Sequence, residues 1–298
     1  MNSPRGHRAG FVTLGGRTNV GKSTLLNRIV GQKVAIVTPK PQTTRRRIVG
    51  IRSDPDAQMI LIDTPGLHEP HRPLNRRMVE TARRCLNEGE VVVGVIAAGR
   101  GMNREDRSFL TDLARLGRPT VVAINKIDLL GRDQLIALAE EAHQTLPGAE
   151  IVPVSALTGE NVDELVRVVK SMLPESPALM SEEEYTDQTE RMIAEEIIRE
   201  KIFLAMRQEI PFSTAVTVEQ FAEEPERNLV RISAIVIVER DSQKGMVIGA
   251  GGLKLKEIGT GARLELEQML DRRVFLELRV KVERGWTGDP RKLKELGF

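Results

Sequence analysis

The feature that most constrains this chain is a glycine-rich turn between an apolar segment, Phe11–Leu14, and a segment with helical periodicity, Lys22–Val30. Such a turn lets successive backbone N–H groups face a phosphate, and the following helix adds free N–H donors and the positive end of its dipole. Lys22 is expected to reach the β- and γ-phosphates of a nucleotide, and the Ser23 hydroxyl to ligate Mg²⁺. The residues predicted to line this part of the site are Gly16, Arg17, Thr18, Asn19, Val20, Gly21, Lys22, Ser23 and Thr24.

The first 173 residues alternate between apolar and helical segments. The apolar runs are Phe11–Leu14, Met59–Ile62, Val91–Ala98, Thr120–Ile124 and Ile151–Val154. The segments with helical periodicity are Lys22–Val30, Leu74–Leu86, Arg104–Leu116, Asp133–Leu146 and Val162–Leu173. Val91–Ile96 is apolar on both faces, which is typical of a buried parallel strand. The alternation predicts an α/β fold, a P-loop domain with an open, mostly parallel sheet.

This pattern ends after the helical segment Val162–Leu173. Asn161 is expected to cap that helix at its start, with Glu164 completing a capping box. Two prolines and a serine then lie within residues 174–177, a composition typical of a linker. The division that follows is a first domain over 1–173, a linker over 174–184 and a second domain over 185–298.

The second domain combines helical and strand-like segments around a cluster of glycines. Helical periodicity covers Tyr185–Glu209 and Leu253–Leu270. The strand-like runs are Thr214–Phe221, Leu229–Val238 and Val274–Val282. The glycines lie at 249–252, before the second helix. This order predicts a small α+β domain.

Base recognition is assigned to a motif at the end of the apolar run Thr120–Ile124. The motif consists of Asn125, Lys126, Ile127 and Asp128. It lies where a strand of an open α/β sheet ends, which is where such sheets bind ligands. The Asp128 carboxylate can accept two hydrogen bonds, which matches the N1–H and 2-amino donors of guanine. Adenine lacks both donors and would leave this charge unpaired, so the motif favours guanine.

Neighbouring groups complete the predicted base pocket. Asn125 can bridge the base and adjacent loops, and the stem of Lys126 can lie along the ring plane. The backbone N–H groups expected to face guanine O6 belong to Ser155, Ala156 and Leu157.

Two further segments are expected to surround the γ-phosphate and Mg²⁺. One follows the run Met59–Ile62 and consists of Asp63, Thr64, Pro65, Gly66 and Leu67. Asp63 can hold Mg²⁺ through water, and the Gly66 N–H can face the γ-phosphate. The other is the polar stretch 33–47, in which Thr43 or Thr44 can supply a second hydroxyl ligand to Mg²⁺. We prefer Thr44.

The chain lacks an obvious residue to orient the attacking water. Leu67 stands where Ras-like proteins have a glutamine, and its side chain cannot form a hydrogen bond. Intrinsic hydrolysis is therefore expected to be slow. His68 and His71, which follow, are expected to be solvated.

The composition is that of an ordinary globular protein with unevenly distributed charge. Apolar residues make up 40% and charged residues 29% of 298 residues. The net charge of +2 combines +6 over 1–180 (25 basic, 19 acidic), −8 over 181–239 (6 and 14) and +4 over 240–298 (13 and 9). The basic end is compatible with a local anionic partner. A single cysteine, Cys85, and the lack of any apolar run near 18 residues predict a cytoplasmic protein without a membrane span.

Together these motifs resemble those of the translation-factor-like GTPases, and the C-terminal part narrows the resemblance to the Era family of bacterial ribosome-assembly GTPases. The resemblance covers nearly the whole chain. The segments that carry it are Asn19–Asn27, Gln42–Arg45, Ile197–Lys201, Val247–Gly249 and Gly285–Trp286. The last two resemble parts of the KH domain of Era.

The resemblance implies hydrolysis of GTP to GDP and phosphate with Mg²⁺, and a second domain of the type II KH arrangement. That domain would hold the 3′ end of small-subunit ribosomal RNA during assembly of the 30S subunit, and no DNA partner is expected. It also implies that Asn19 ligates a K⁺ ion in place of a positive finger, and that the protein associates peripherally with the cytoplasmic membrane. The RNA contacts would come from Ile248, Gly249, Ala250, Gly251, Gly252, Lys254 and Lys256.

Two positions depart from the family pattern. Thr18 stands where the family usually has proline, and the adjacent glycines are expected to keep the turn. The loop Gly249–Gly252 lacks the lysine that commonly lies between its outer glycines, which weakens its attraction to phosphate. Lys254 and Lys256 can compensate for that charge.

The favoured interpretation is a switch: GTP orders the loops around Thr44 and Gly66, hydrolysis releases them, and the linker at 174–177 transmits the change. Three other interpretations stay open. The chain could be a P-loop kinase or ATPase, although Asp128 argues against it. It could be a non-hydrolysing, nucleotide-gated adaptor for a membrane or cell-cycle partner, or its second domain could dock protein instead of RNA.

Overall fold

The computed structural model describes residues 6–69, 73–99, 101–207 and 209–298. These residues form two compact units. The first is drawn from the ranges 1–35, 44–70 and 76–187, and the second from 36–43, 71–75 and 188–298. The segment expected to be a linker is hydrogen-bonded along the first strand of the first unit, because the Ala9 N–H donates to the Pro174 carbonyl at 3.2 Å.

The first unit is an α/β sandwich around one sheet. Its strands are β1 (Arg8–Gly15), β2 (Ile48–Asp54), β3 (Ala57–Asp63), β4 (Val91–Ala97), β5 (Thr120–Asn125) and β6 (Glu150–Val154). Its helices are α1 (Lys22–Val30), α2 (Pro73–Glu88), α3 (Arg104–Leu116), α4 (Arg132–Thr145) and α5 (Val162–Met172). The strand order is β2-β3-β1-β4-β5-β6, and β2 alone among them is antiparallel to its neighbour. The predicted α/β fold with a mostly parallel sheet is confirmed.

Alternate residues of β4 serve the two cores of this unit. Val91 and Val93 belong to the apolar cluster that α1 and α5 cover, whereas Val92 and Ile96 belong to the cluster formed with α3 and α4. All four are at most 1% exposed. Because both faces of the strand are covered, the strand has to be apolar throughout. The topology also places the end of β1 between the ends of β3 and β4, at the point where the strand order reverses.

The expected capping box at α5 is wrong. Asn161 adopts a left-handed conformation with φ of 57°, and its side chain makes no capping hydrogen bond. Glu164 instead accepts two hydrogen bonds from Arg167, at 2.8 and 2.6 Å. An N-cap side chain reaches the helix from an extended backbone, so the left-handed turn before Val162 removes that geometry.

The second unit packs helices on one face of a three-stranded sheet. Its helices are α6 (Glu190–Ala205), α7 (Asp241–Ile248), α8 (Leu253–Leu270) and α9 (Pro290–Glu295). Its strands are β7 (Ala215–Glu224), β8 (Leu229–Val238) and β9 (Arg273–Val282). β8 lies between the others, antiparallel to β7 and parallel to β9. The order α-β-β-α-α-β with a parallel last strand agrees with the type II KH arrangement that the resemblance implied.

Local details of this unit differ from the sequence expectation. The helix expected from Tyr185 begins at Glu190, where the Thr189 hydroxyl accepts a hydrogen bond from the Met192 N–H. Trp286, in contrast, fits a role as a buried anchor, because it is fully buried and its indole N–H donates to the Ser213 carbonyl at 3.2 Å. Among the described residues, no helix is long and apolar enough to cross a membrane.

Candidate functional site

The glycine-rich turn connects β1 to α1 and encloses the amine of Lys22. The Lys22 Nζ donates to the carbonyls of Gly16 at 3.2 Å and Arg17 at 3.0 Å, and the residue is 6% exposed. Burial lowers the pKa of the Lys22 ammonium to about 8, although the nearby Asp63 carboxylate opposes the shift. The amine is thus held over the turn by carbonyl groups, in a position where a nearby phosphate would raise its pKa again.

An ion pair that the sequence did not reveal fixes the outer side of the turn. The Arg17 Nε donates to Asp106 Oδ1 at 2.9 Å, and Asp106 is only 3% exposed. Asn103 caps the same end of α3 by accepting a hydrogen bond from the Asp106 N–H at 2.8 Å. Burial raises the pKa of the Asp106 carboxyl even though Arg17 opposes this. No local signal could have revealed this pair, because its members lie 89 residues apart.

Three predicted Mg²⁺ ligands meet at the end of β3. The Ser23 hydroxyl lies 2.8 Å from the Thr44 hydroxyl and 2.5 Å from Asp63 Oδ2, and the Thr44 hydroxyl is 3.3 Å from the same oxygen. Thr43, the other hydroxyl considered, instead hydrogen-bonds to the Thr38 hydroxyl and the Lys40 carbonyl. The structure thus brings Thr44, and not Thr43, to Ser23.

These oxygens fit a small divalent cation. Asp63 is fully buried, burial raises the pKa of its carboxyl, and its Oδ1 has no hydrogen-bond partner among the described residues. A buried carboxylate oxygen without a partner is costly unless a cation or donor reaches it. Two hydroxyls and one carboxylate form the kind of oxygen set that Mg²⁺ shares with nucleotide phosphates. The assignment of Mg²⁺ to Ser23, Thr44 and Asp63 remains a prediction.

Asn125 holds the predicted base pocket together. It is 2% exposed, and its amide nitrogen donates to the Val20 carbonyl at 2.8 Å. Its amide oxygen accepts hydrogen bonds from the N–H groups of Lys126 at 2.8 Å and Ala156 at 2.9 Å. One side chain therefore joins the phosphate turn to the loops that follow β5 and β6.

Asp128 and Lys126, the other polar residues of the base motif, lie beside the predicted base pocket. Asp128 is exposed, and its Oδ1 accepts a hydrogen bond from the Ser155 hydroxyl at 2.6 Å. Lys126 has a left-handed backbone with φ of 68°, and its Nζ donates to the Asn19 carbonyl at 2.7 Å. The serine orients the carboxylate that was predicted to read guanine, while the lysine stem spans toward the phosphate turn.

Two residues of α1 that the sequence did not single out support neighbouring loops. Arg28 donates to the carbonyls of Ala156 at 3.2 Å and Leu157 at 2.5 Å. Of the three N–H groups expected to face guanine O6, that of Ser155 instead donates to the Glu160 carbonyl at 3.0 Å and that of Ala156 to Asn125. Asn27 donates to the Ala35 carbonyl at 2.7 Å and accepts from the N–H groups of Val34 and Ala35 at 3.0 and 2.9 Å. It therefore fixes the start of the polar stretch that leads to the predicted Mg²⁺ ligand.

The segment after β3 is pinned against the phosphate turn. The Leu67 N–H donates to the Gly16 carbonyl at 3.1 Å. A Cβ at Gly66 would lie 2.6 to 2.8 Å from atoms of Thr18, so only glycine allows this approach. His68 is not solvated as expected: its Nδ1 lies 2.8 Å from the Gly66 carbonyl and its Nε2 is buried. His71 lies outside the described residues.

The predicted RNA loop forms the junction of α7 and α8. Gly249 has φ of 74°, and a Cβ there would lie 2.6 Å from the Lys254 Cβ, so glycine is required. Ala250 is exposed, whereas Ile248 is half-buried. The Lys254 ammonium pairs with Glu257 at 2.7 Å, which reduces its charge toward a ligand. A groove of about 350 Å³ adjoins the loop and is lined by Gly252, Leu255, Lys256, Gly259, Thr260, Arg263, Leu276 and Leu278.

Comparison with known proteins matches both units. Residues 11–126 match a family model described as a 50S ribosome-binding GTPase, and residues 209–287 match a KH domain. The chain is 47% identical to GTPase Era of Syntrophus aciditrophicus over 98% of its length and 95% of that protein. It is 46% identical to GTPase Era of Geobacter metallireducens, over 98% of each chain. The chain belongs to the Era family of GTPases.

Solved Era structures agree with this assignment over the whole fold. A crystal structure of an Aquifex aeolicus Era variant bound to GDP and AlF₄⁻ has a TM-score of 0.94 and 41% identity, covering 97% of this chain and 99% of that one. Era in complex with MgGDPNP and nucleotides 1506–1542 of 16S ribosomal RNA has a TM-score of 0.93 and 41% identity, covering 98% and 99%. This Era-family chain is a GTPase with a C-terminal KH domain.

The threonine that departs from the family pattern is accommodated in the turn. A Cβ added to Gly66 would lie 2.6 to 2.8 Å from the Thr18 backbone and Cγ2, so the two segments approach closely although residue 18 is not a proline. Asn19 is the left-handed residue of the turn that is not a glycine, with φ of 62°, a conformation that asparagine tolerates.

Replacing Lys22 by alanine should weaken binding of both GTP and GDP by about 100-fold, because two charge-assisted hydrogen bonds to phosphate are lost. Calorimetric titration with each nucleotide measures the change. Lys244→Ala, an exposed lysine in α7, is the control and should bind both nucleotides as the wild type does. Unchanged affinity in Lys22→Ala would contradict the assignment of this turn to phosphate.

Proposed function

We propose that this chain binds guanine nucleotides with Mg²⁺ in its first unit and hydrolyses GTP slowly. We further propose that the bound nucleotide controls binding of the small-subunit ribosomal RNA 3′ end to the KH domain during assembly of the 30S subunit. The observation that carries the first part is the network around Asn125. It joins the phosphate turn, the predicted guanine-reading carboxylate loop and the loop at 155–157 through one buried amide.

The chemistry follows from these residues. Mg²⁺, when bound, would neutralise charge on the β- and γ-phosphates, with Ser23 and Thr44 as hydroxyl ligands and Asp63 as the carboxylate. Lys22 and the N–H groups of the turn would stabilise the same charge, and the Gly66 N–H would orient the γ-phosphate. Leu67 offers no hydrogen bond to water, which supports slow turnover.

Asp128→Asn should convert the base preference from guanine to xanthine. Xanthine carries a carbonyl in place of the 2-amino group, so an amide N–H₂ can donate to it, whereas the carboxylate cannot. We expect about a 100-fold loss of GDP affinity and a gain of XDP affinity, because two hydrogen bonds to a charged acceptor are exchanged. Titration with GDP, XDP and ADP measures this.

The matched control is Asp133→Asn, an exposed carboxylate in α4. It should keep the wild-type order of affinities. If the wild type binds ADP as tightly as GDP, or if Asp128→Asn keeps full guanine preference, the proposed base recognition by Asp128 is wrong.

The RNA part of the proposal is supported by three features. A related Era of 41% identity was solved with nucleotides 1506–1542 of 16S ribosomal RNA. The loop Gly249–Gly252 is glycine-rich and exposes Ala250, which suits close approach of a nucleotide backbone. The acidic stretch 181–239 argues for a confined RNA contact, not for general binding of polyanions.

Position 250 offers a direct test of the loop. Ala250 has no positive φ, so longer side chains fit without backbone strain. Ala250→Lys should raise affinity for an RNA oligonucleotide of the 16S 3′ end by about fivefold and steepen its salt dependence by about one unit, because one phosphate contact is added. Ala250→Asp should lower the affinity by a similar factor.

Filter binding at several salt concentrations, with GDP and with a non-hydrolysable GTP analogue, gives both results. An RNA oligonucleotide of equal length and unrelated sequence serves as the specificity control. If Ala250→Lys and Ala250→Asp bind the RNA equally well, this loop does not contact RNA, and a protein-docking role of the domain is favoured. If the wild type binds the RNA equally well with GDP and with the GTP analogue, the nucleotide does not control RNA binding.

The proposed potassium site at Asn19 has its own test. Hydrolysis should be about tenfold faster in KCl than in NaCl if a cation at Asn19 supplies positive charge to the transition state. Asn19→Gly keeps the left-handed backbone, since glycine accepts φ of 62°, and should abolish the difference. Asn87→Ala, an exposed residue of α2, should retain it. Equal rates of the wild type in both salts would exclude the potassium role.

An adaptor that binds but does not hydrolyse GTP is the alternative. Phosphate release from GTP by the wild type, and loss of that release in Lys22→Ala, would identify an enzyme and exclude the non-hydrolysing adaptor. We place the protein in the cytoplasm; peripheral membrane association rests on the family resemblance alone.

A further inference from the structure

Two adjacent side chains after β3 face in opposite directions. Leu67 forms a β-bridge with Arg17, and its side chain packs against the apolar cluster of α3 and α4. In extended backbone, successive side chains point to opposite faces. The leucine at the position of the usual water-orienting residue is therefore used for the core, and the side chain on the other face is that of His68.

The His68 imidazole is folded back over the peptide that precedes it. Its Nδ1 lies 2.8 Å from the Gly66 carbonyl, and because a carbonyl only accepts, Nδ1 carries the proton. In the neutral ring Nε2 is then a free acceptor. That atom is buried and has no hydrogen-bond partner among the described residues. A buried acceptor without a hydrogen-bond partner destabilises the folded protein, so its presence calls for an explanation.

The position of this acceptor suggests its partner. The Gly66–Leu67 segment is held against the phosphate turn by the Leu67 N–H and by the contact of Gly66 with Thr18. The ring of His68 covers the Gly66 carbonyl, next to the N–H that we assign to the γ-phosphate.

We propose that His68 is a catalytic residue whose Nε2 accepts a hydrogen bond from the attacking water, the role that Leu67 cannot perform. This inference rests on the proposed hydrolysis of GTP. The water oxygen forms a bond to the γ-phosphorus while the bond from phosphorus to the β–γ bridging oxygen breaks, and that electron pair remains on GDP. Both water protons end on the released dihydrogen phosphate, so His68 is unchanged after a turnover.

Two substitutions separate this role from packing. His68→Phe keeps a ring of similar shape and removes the acceptor, whereas His68→Gln keeps an acceptor in a different shape. In single-turnover assays with preloaded GTP and Mg²⁺, we expect His68→Phe to be about 10- to 100-fold slower than the wild type. His68→Gln should recover at least a part of that loss. The affinities of both variants for GTP and GDP should stay within about twofold of the wild type.

A transition-state mimic gives an independent readout. His68→Phe should bind GDP normally and lose the additional binding of aluminium fluoride, because the acceptor for the in-line water is missing. His143→Phe replaces an exposed histidine of α4 and should match the wild type in both assays.

The outcomes distinguish this inference from the proposed function. If the wild type releases phosphate and His68→Phe does so equally fast, His68 has no catalytic role. If His68→Phe loses nucleotide affinity and rate together, and His68→Gln does not recover the rate, the residue acts in folding and the inference is wrong. If the wild type itself binds GTP without hydrolysing it, the proposed function fails first.

Discussion

The buried amide of Asn125 is the interaction on which the nucleotide site depends. Its three hydrogen bonds connect segments that follow three different strands, β1, β5 and β6. The parallel sheet brings those strand ends to one edge, but it does not by itself set the distances between the loops. An amide with one donor group and one acceptor, both used within a dry environment, sets those distances with little freedom.

Near the Asn125 amide, the site contains charged side chains whose ionised forms are disfavoured by burial. Burial lowers the pKa of Lys22 to about 8 and raises the pKa of the Asp63 carboxyl. Burial causes both shifts, because it disfavours the charged form of each group. A nucleotide with Mg²⁺ would satisfy both, so binding should tighten the loops that carry them. The same logic accounts for the Arg17–Asp106 pair, which is satisfied within the protein and holds the outer side of the turn.

The predicted RNA loop of the KH unit differs from the nucleotide site in its charge. Its loop at 249–252 has little charge, and one neighbouring lysine is already paired with Glu257. Gly249 allows the close approach of Lys254, and a groove between α8 and β9 adjoins the loop. Trp286, the one tryptophan of the chain, stabilises the unit from inside instead of contacting a ligand.

The sequence by itself determined the features that are formed by residues close together in the chain. The phosphate turn, the guanine motif and the apolar strands each consist of neighbouring residues, and their spacing reflects the strand–turn–helix geometry that the backbone must adopt. β2 and α7 were missed because their sequences lack clear periodicity. The sequence favoured Thr44 but left Thr43 open, and the fold shows that Thr44 is the hydroxyl that lies beside Ser23.

Only the tertiary structure decided the supporting contacts. Arg17 meets Asp106 and Arg28 meets the loop at 156–157 across separations of 89 and more than 100 residues, distances at which periodicity carries no information. The left-handed turn at Asn161 and the folded-back ring of His68 were likewise invisible, because a side chain's direction follows from backbone angles that its neighbours impose. Residue type and spacing define which chemistry is possible, and the order of strands in the sheet decides which groups meet to perform it.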